Sequence, residues 1–161
     1  MSIKRYGTPT KPGALPFSKA AGADGWLFVS GQVPRDADGE IVTGNITVQA
    51  RVTLENLKKV LESAGYSLED VVRVNVFLDD PRDFAGFNKV YAQFFTAEHA
   101  PARVCVQAMM MSDLRVEEST ALPTKKTKRK REMRLEEGKE NLSEERLLPP
   151  QTPPLPLPRL S

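Results

Sequence analysis

Four segments show the apolar pattern of β-strands. Residues 71–78 alternate, with Val72, Val74, Val76 and Leu78 on one face. Residues 26–30 form a short apolar run between two glycines, which is typical of a buried strand. Residues 103–110 alternate as well, and residues 114–117 begin one more strand. Within 103–110, one face carries Arg103, Cys105 and Gln107 and the other carries Val104, Val106 and Ala108.

Two segments show helical spacing. The first covers 47–64, where Asn45 is suited to cap the first turn and Gly65 to form a left-handed C-cap. The second covers 84–95, with Asp83 as its cap. The apolar positions are Val48, Val52, Leu54, Leu57, Leu61 and Ala64 in the first helix and Phe84, Phe87, Tyr91 and Phe94 in the second. We interpret both stripes as parts of the core.

A turn signal at 36–39 completes the set of elements. Its Asp-Ala-Asp-Gly sequence predicts a hairpin whose returning strand covers 40–43. The order strand–strand–helix–strand–helix–strand–strand predicts an α+β fold with a mixed sheet and both helices on one face. The other face of such a sheet also carries apolar residues and needs a second cover, so we expect the chain to oligomerise.

Composition excludes several classes of site. Of 161 residues, 40% are hydrophobic and 27% are charged, and no apolar run approaches the ~20 residues of a membrane helix. The single cysteine, Cys105, and the single histidine, His99, allow neither an internal disulfide nor a His/Cys metal cage. Neither a G-x-G-x-x-G nor a P-loop sequence occurs, so no nucleotide site is indicated.

The charge is divided unevenly along the chain. Residues 1–118 carry 13 basic and 15 acidic side chains, whereas 119–161 carry 10 basic and 6 acidic ones. Six of the seven residues at 125–131 are basic, and 149–158 is rich in proline. The basicity therefore belongs to the tail, which offers a nucleic-acid patch or an SH3-type ligand as alternatives to a solvated disordered run.

Six short motifs occur in a fixed order along the chain. They are VSGQVP at 29–34, LENLK followed by AG at 54–58 and 64–65, VRVNVFL at 72–78, DFA followed by NKVY at 83–85 and 88–91, PAR at 101–103 and VE at 116–117. Together they resemble the RidA/YjgF family of reactive-intermediate (imine/enamine) deaminases. The resemblance covers roughly residues 15–117.

The resemblance implies a fold and an activity. Family members form a chorismate-mutase-like α+β unit and assemble as homotrimers, with their sites in clefts between neighbouring subunits. They hydrolyse 2-imino acids, which arise from 2-aminoacrylate and similar enamines, to 2-keto acids and ammonia. The resemblance implies that this reaction uses no metal and no organic cofactor.

The resemblance also assigns site residues. Arg103, from the PAR motif, would hold the substrate carboxylate with two parallel hydrogen bonds; the alternative for an arginine at a strand start is a surface ion pair. Glu117 would orient and polarise the attacking water. The substrate-binding positions implied by the resemblance are Phe17, Ser30, Gly31, Asn88 and Cys105. Phe17 stands where many members have tyrosine, so one hydrogen bond to the site is lost, and a buried filler is the alternative for Cys105.

Glu118 departs from the family pattern. The last strand of the family alternates glutamates with apolar residues, and Glu118 falls where the core requires Ile or Val. Three outcomes follow from a strand period of two: a buried, protonated carboxyl, a strand that frays after Glu117, or a shift of register. We expect fraying, because it costs only local pairing, with Glu117 loosely held and the activity reduced.

Composition and the resemblance together divide the chain into three segments. We expect an N-terminal arm at 1–14, a RidA-like domain at 15–122 and a basic, proline-rich disordered tail at 123–161, which is foreign to the family. We expect a cytoplasmic homotrimer that acts on a small 2-imino acid and does not bind a membrane; a mitochondrial or nuclear location is the alternative. Two other functions stay open: a non-catalytic or impaired trimer with a binding or translation/RNA-related role, and an interaction protein acting through the tail.

Overall fold

The computed structural model describes residues 2–9 and 13–123 and is built on a six-stranded mixed sheet. The strands are β1 (Lys4–Tyr6), β2 (Ala20–Ala23), β3 (Trp26–Gln32), β4 (Arg73–Leu78), β5 (Ala102–Gln107) and β6 (Val116–Pro123). Their order in the sheet is β1-β2-β3-β6-β4-β5. The β4–β5 pair is parallel and the other four pairs are antiparallel, so the predicted mixed α+β class is confirmed.

The first helix begins and ends as the sequence predicts. Helix α1 (Ile46–Ser63) starts where the Asn45 side chain accepts a hydrogen bond from the backbone N–H of Val48 at 3.1 Å. Gly65 follows its C-cap with φ +85°, a conformation that suits glycine. The buried face differs in part, because Val48 is 43% exposed and Gln49 is buried. The Gln49 amide donates to the Asp113 carbonyl and its oxygen accepts from the Arg115 N–H, which satisfies it inside the core.

The second helix is shorter than predicted and is capped differently. Helix α2 (Phe84–Tyr91) gives way to turns before Phe95. Asp83 makes no side-chain cap, because its Oδ2 accepts a hydrogen bond from Arg115 Nη1 at 2.8 Å. Asp80 instead caps the short 3₁₀ turn Pro81–Asp83 that leads into α2.

The predicted hairpin after β3 is wrong in its returning strand. The turn at 36–39 forms, with Gly39 at φ +89° and its N–H donating to the Asp36 carbonyl. Residues 40–43, however, contribute only an isolated bridge between Arg35 and Ile41. The partners of β3 are instead β2 and β6, and β1, within the expected N-terminal arm, extends the sheet beyond β2.

The two faces of the sheet differ sharply in exposure. On the helix-covered face, five residues are 0% exposed and pack with both helices in one core: Leu27, Val74, Val76, Val116 and Leu122. On the other face, which we call the open face, Trp26, Phe28, Val104 and Val106 are 40–54% exposed. The expectation that both helices cover one face and leave the other apolar is therefore confirmed.

The predicted fraying of the last strand is wrong. Strand β6 continues through Glu118 to Pro123 and pairs with β3 on one side and β4 on the other. Ending it at Glu117 would break two ladders rather than one, because β6 is a central strand. Its faces alternate as expected: Val116 and Glu118 point into the core, and Glu117 points to the open face.

The expectations for the tail, including the basic run at 125–131 and the proline-rich stretch at 149–158, lie outside the described residues. The basic, proline-rich composition of 124–161 offers little apolar surface to bury, so we expect deletion of 124–161 to leave the Tm within about 2 °C of the full chain in differential scanning calorimetry. A deletion that starts at Glu118 should unfold the protein, because it removes most of β6. A large loss of stability in the first variant would contradict the expected domain boundary.

Candidate functional site

Arg103 occupies the edge strand β5 beneath α2. Its Nη1 donates to Asn88 Oδ1 at 2.8 Å, so helix α2 holds the guanidinium from above. The guanidinium carbon lies 4.6 Å from the centroid of the Tyr91 ring, and the rings of Phe84 and Phe87 lie at 5.9 and 5.8 Å. A planar cation held over aromatic faces by one hydrogen bond keeps its other N–H donors for an anion.

The aromatic part of this environment was missed in the sequence. Phe84, Asn88 and Tyr91 follow one another at spacings of four and three residues, so they share one face of α2. That spacing, combined with Asn88 as a predicted substrate-binding residue, was the available signal. The helical spacing of the aromatic residues by itself indicates only core packing, whereas Tyr91 both packs in the core and lies against the Arg103 guanidinium.

Cys105 lies two residues beyond Arg103 on the same face of β5. It is half-buried and packs against the core. Burial raises the pKa of its thiol, and the nearby Arg103 charge only partly opposes that effect. The geometry is that of a filler with an unreactive thiol rather than of an activated nucleophile.

Glu117 lies against Gly31 on the neighbouring strand β3. A Cβ atom placed on Gly31 would fall 1.8 Å from Glu117 Oε1, so only a glycine accommodates the carboxylate in this position. A bulge in the β3–β6 pairing between Val29 and Gln32 brings the two residues together.

Ser30 and Phe17 lie next to this pair. Ser30 Oγ donates to the Ser18 carbonyl at 2.7 Å, which fixes the chain before β2 against β3. Phe17 is 55% exposed and, with Gly31, lines a cleft of about 410 Å³. Three basic side chains, Lys19, Arg35 and Lys59, also line that cleft.

The predicted site residues form two groups on opposite faces of the sheet. Arg103 is in register with Val74, which is buried on the helix-covered face. Glu117 is in register with Phe77, which the strand alternation turns to the open face. Arg103, Asn88 and Cys105 therefore form one group, and Glu117, Gly31, Ser30 and Phe17 form the other. Within one chain, the sheet separates the two groups.

Glu118 is a buried carboxyl without a partner. It is 0% exposed, and neither of its oxygens has a hydrogen-bond partner among the described residues. Burial raises its pKa to about 8, and the charge of Arg103 partly opposes that rise. Burial, with the Glu118 charge as a second cause, also raises the pKa of Tyr91. At neutral pH the Glu118 carboxyl is therefore protonated.

The described residues offer neither a metal-binding cluster nor a membrane-spanning helix. In 2–9 and 13–123, no group of three or more His, Cys, Asp or Glu side chains is placed to hold a metal ion. No helix in that part of the chain is long and apolar enough to cross a membrane.

The sequence is similar to one large family. Residues 8–121 match the family described as endoribonuclease L-PSP. The chain is 53% identical over 93 residues to a RutC family protein of Pyrococcus horikoshii, covering 57% of this chain and 73% of that protein. It is 36% identical over 118 residues to the 2-iminobutanoate/2-iminopropanoate deaminase of Salmonella typhimurium, covering 71% of this chain and 92% of that protein.

Solved structures share the fold. The crystal structure of yeast Mmf1 superposes with a TM-score of 0.69 at 34% identity, covering 77% of this chain and 100% of that one. The structure of E. coli TdcF with bound serine gives a TM-score of 0.62 at 37% identity, covering 70% of this chain and 91% of that one.

Proposed function

The chain belongs to the endoribonuclease L-PSP family, also called RidA/YjgF, and on that premise we propose that it hydrolyses 2-imino acids to 2-keto acids and ammonia. The observation that carries the proposal is the Arg103 guanidinium, held by Asn88 at 2.8 Å with its remaining donors available. A relative of 36% identity is named 2-iminobutanoate/2-iminopropanoate deaminase, which supports this substrate class.

Arg103 and Glu117 act together only if they come from different copies of the chain. They lie on opposite faces of one sheet, so no single substrate reaches both within a protomer. The open face carries Trp26, Phe28, Val104 and Val106 and is suited to contact other copies. We therefore propose a homotrimer in which Arg103 of one protomer faces Glu117 of its neighbour. Light scattering of the full chain tests this assembly, and a monomer would contradict it.

The chemistry needs binding and one base. Arg103 holds the carboxylate of the imino acid and fixes C2 in place. Glu117 accepts a proton from water while the water oxygen bonds to C2, and the electron pair of the C=N π bond moves to nitrogen, which receives that proton back from Glu117 through solvent. The C2 hydroxyl then gives up its proton to Glu117 and the nitrogen takes one from it, so the C–N bond breaks with its electron pair on nitrogen, ammonia leaves and the C=O bond of the keto acid forms. Water and imine are consumed, and keto acid and ammonia are produced, so the reaction balances without a cofactor.

A coupled assay for keto-acid release tests the activity. The imine is generated in place by an amino-acid oxidase, and the keto acid is measured with and without the purified full chain. Faster keto-acid release supports the proposal, and release at the uncatalysed rate contradicts it. The same preparation is incubated with RNA, because the family is also described as endoribonuclease; RNA cleavage without imine hydrolysis would favour the alternative role. A cytoplasmic location stays a prediction from the sequence.

Replacing Glu117 with Gln tests the role of the base. Glutamine keeps the size of the side chain but accepts no proton, so we expect kcat to fall about 10²–10⁴-fold, the usual contribution of a general base. Glu55 is exposed on α1, so Glu55→Gln removes one carboxylate away from both groups and serves as the matched control. Steady-state kinetics in the coupled assay gives the comparison. Equal kcat values for the two variants would exclude Glu117 as the base.

A further inference from the structure

Glu118 and Arg103 share the helix-covered face of the sheet. Glu118 is in register with Val76 of β4, which is in turn in register with Cys105 of β5. Arg103 lies two residues before Cys105 on β5, so one strand separates the two residues and their backbones are about 12 Å apart. The Tyr91 ring lies 4.6 Å from the guanidinium carbon, and the Glu118 charge contributes, after burial, to raising the pKa of Tyr91.

Within residues 2–9 and 13–123, one positive charge, that of Arg103, acts on Glu118. From β5, Arg103 and Cys105 interact electrostatically with it, and from α2 Tyr91 does so. Apart from Glu118 itself, helix α1 and strands β3, β4 and β6 present no buried titratable side chain. Their other buried residues are Ile46, Gln49, Ala50, Thr53, Leu54, Leu57, Val60, Leu61, Leu27, Val29, Val74, Val76, Leu78, Val116, Thr120 and Leu122. An ionised Glu118 therefore has Arg103 as its counter-charge.

We propose that Glu118 is a positioning residue for Arg103. While the Glu118 carboxyl is neutral, the guanidinium stays with Asn88 and binds an anionic ligand. When the carboxyl ionises, it competes with that ligand for the same guanidinium. The inference rests on the proposed function in one respect, namely that Arg103 binds the substrate carboxylate.

Three observations support the competition. The guanidinium uses one of its five N–H donors, toward Asn88, so it is able to turn toward a second acceptor. Both Glu118 oxygens and the Tyr91 hydroxyl lack hydrogen-bond partners among the described residues. Ionisation of Glu118 therefore leaves a buried carboxylate that has no hydrogen-bond donor unless the guanidinium turns toward it. Burial moves the pKa of Glu118 to about 8, which places this change close to physiological pH.

The consequence is a pH dependence of ligand binding. Well below pH 8 the Glu118 carboxyl is protonated and leaves the Arg103 charge uncompensated, so that the guanidinium attracts a carboxylate ligand at full strength. Above pH 8 the ion pair forms and affinity falls, so KM for an imino acid rises while kcat changes less, because Glu118 does not touch the reacting atoms. We expect the dissociation constant of 2-oxobutanoate, the keto-acid product class, to rise about fivefold between pH 7 and pH 9.

Calorimetric titration of the full chain with 2-oxobutanoate between pH 6.5 and pH 9 tests the inference. The wild type should lose affinity with a midpoint near pH 8. Both Glu118→Gln and Glu118→Ile should bind with a flat pH profile, and thermal unfolding at each pH verifies that they are folded. A wild-type profile as flat as that of Glu118→Gln overturns the inference.

A second measurement is independent of any ligand. The Glu118 carboxyl is titrated by ¹³C NMR, with Glu118→Gln identifying its signal, in the wild type and in Arg103→Gln. Removal of the positive charge should move the titration midpoint to higher pH, and an unchanged midpoint overturns the inference. If 2-oxobutanoate binding follows the expected pH profile but no imine is hydrolysed, the proposed function fails and the inference stands. If imine is hydrolysed with a KM that does not respond to Glu118, the inference fails and the proposed function stands.

Discussion

The Arg103→Ala variant should lose at least about 10²-fold in kcat/KM for imine hydrolysis. The guanidinium offers two parallel charge-assisted hydrogen bonds to a carboxylate, together worth about 3–4 kcal/mol of binding and orientation. Because each 1.36 kcal/mol is a tenfold change in rate, the loss falls in the range of about 10²–10³-fold. The fold should survive, since Arg103 is half-buried and its cation–π contact with Tyr91 contributes about 1 kcal/mol.

Two controls make the Arg103 result specific. Arg51→Ala removes an exposed arginine that donates to Gln93 on the outer side of the helices, and it should keep the wild-type kcat/KM. Arg103→Lys keeps the charge but not the planar pair of donors, so we expect an intermediate loss, mainly in KM. Near-normal kcat/KM for Arg103→Ala in the coupled keto-acid assay would remove Arg103 from the site.

The elements that the sequence predicts well are those whose signal is local. Helix α1 has a capping asparagine, an apolar period and a C-terminal glycine, and it forms within one or two residues of the prediction. The alternation also gives the correct faces within β4 and β5, but Val72, predicted on the same face as Val74, lies just before β4 and is 43% exposed. These features depend on the residues of one segment and on backbone geometry.

The elements that were missed depend on distant partners. Strand β2 reads Ala-Ala-Gly-Ala, which lacks β-branched and aromatic residues, and it forms a strand because β3 and β1 pair with it. Residues 40–43 have a stronger strand composition, yet no strand lies beside them. Pairing decides both cases, and pairing is not readable from either segment alone.

The candidate site shows the same division. The family motifs are the basis on which Arg103 and Glu117 are proposed as site residues, and the strand period gives the face of each residue within its own strand. That the two faces are opposite follows only from the register across β4, which the sequence does not specify. The wrong prediction that the last strand frays after Glu117 has the same origin. The strand period places Glu118 on the core face, but only the order β3-β6-β4 shows that β6 is held by hydrogen bonds to a strand on each side.

Glu118→Ile should stabilise the protein, and the gain should depend on pH. Burial moves the pKa of the folded Glu118 carboxyl from its usual 4.5 to about 8. Between these values the folded chain keeps a proton that the unfolded chain releases, so the free energy of unfolding falls as pH rises from 4.5 to 8 and is level above that. Isoleucine has no such proton and removes two buried oxygens without partners. We expect a gain of about 1–2 kcal/mol at pH 5 and about 5–6 kcal/mol at pH 8.5.

Urea unfolding at fixed protein concentration, at pH 5, 7 and 8.5, measures both the gain and its slope. Glu118→Gln separates the effect of ionisation from the effect of burying polar atoms without partners, because it removes the ionisation but leaves a buried amide. Its stability should lose the pH dependence, and it should gain less stability than Glu118→Ile at every pH. We also expect Glu118→Ile to raise imine hydrolysis above the wild type, most clearly above pH 8, where the ionised carboxyl no longer competes for Arg103. If Glu118→Ile leaves stability unchanged or lowers it at pH 8.5, Glu118 does not face the core. The placement of Glu117 on the open face is then also wrong, because neighbouring residues of β6 point to opposite sides of the sheet.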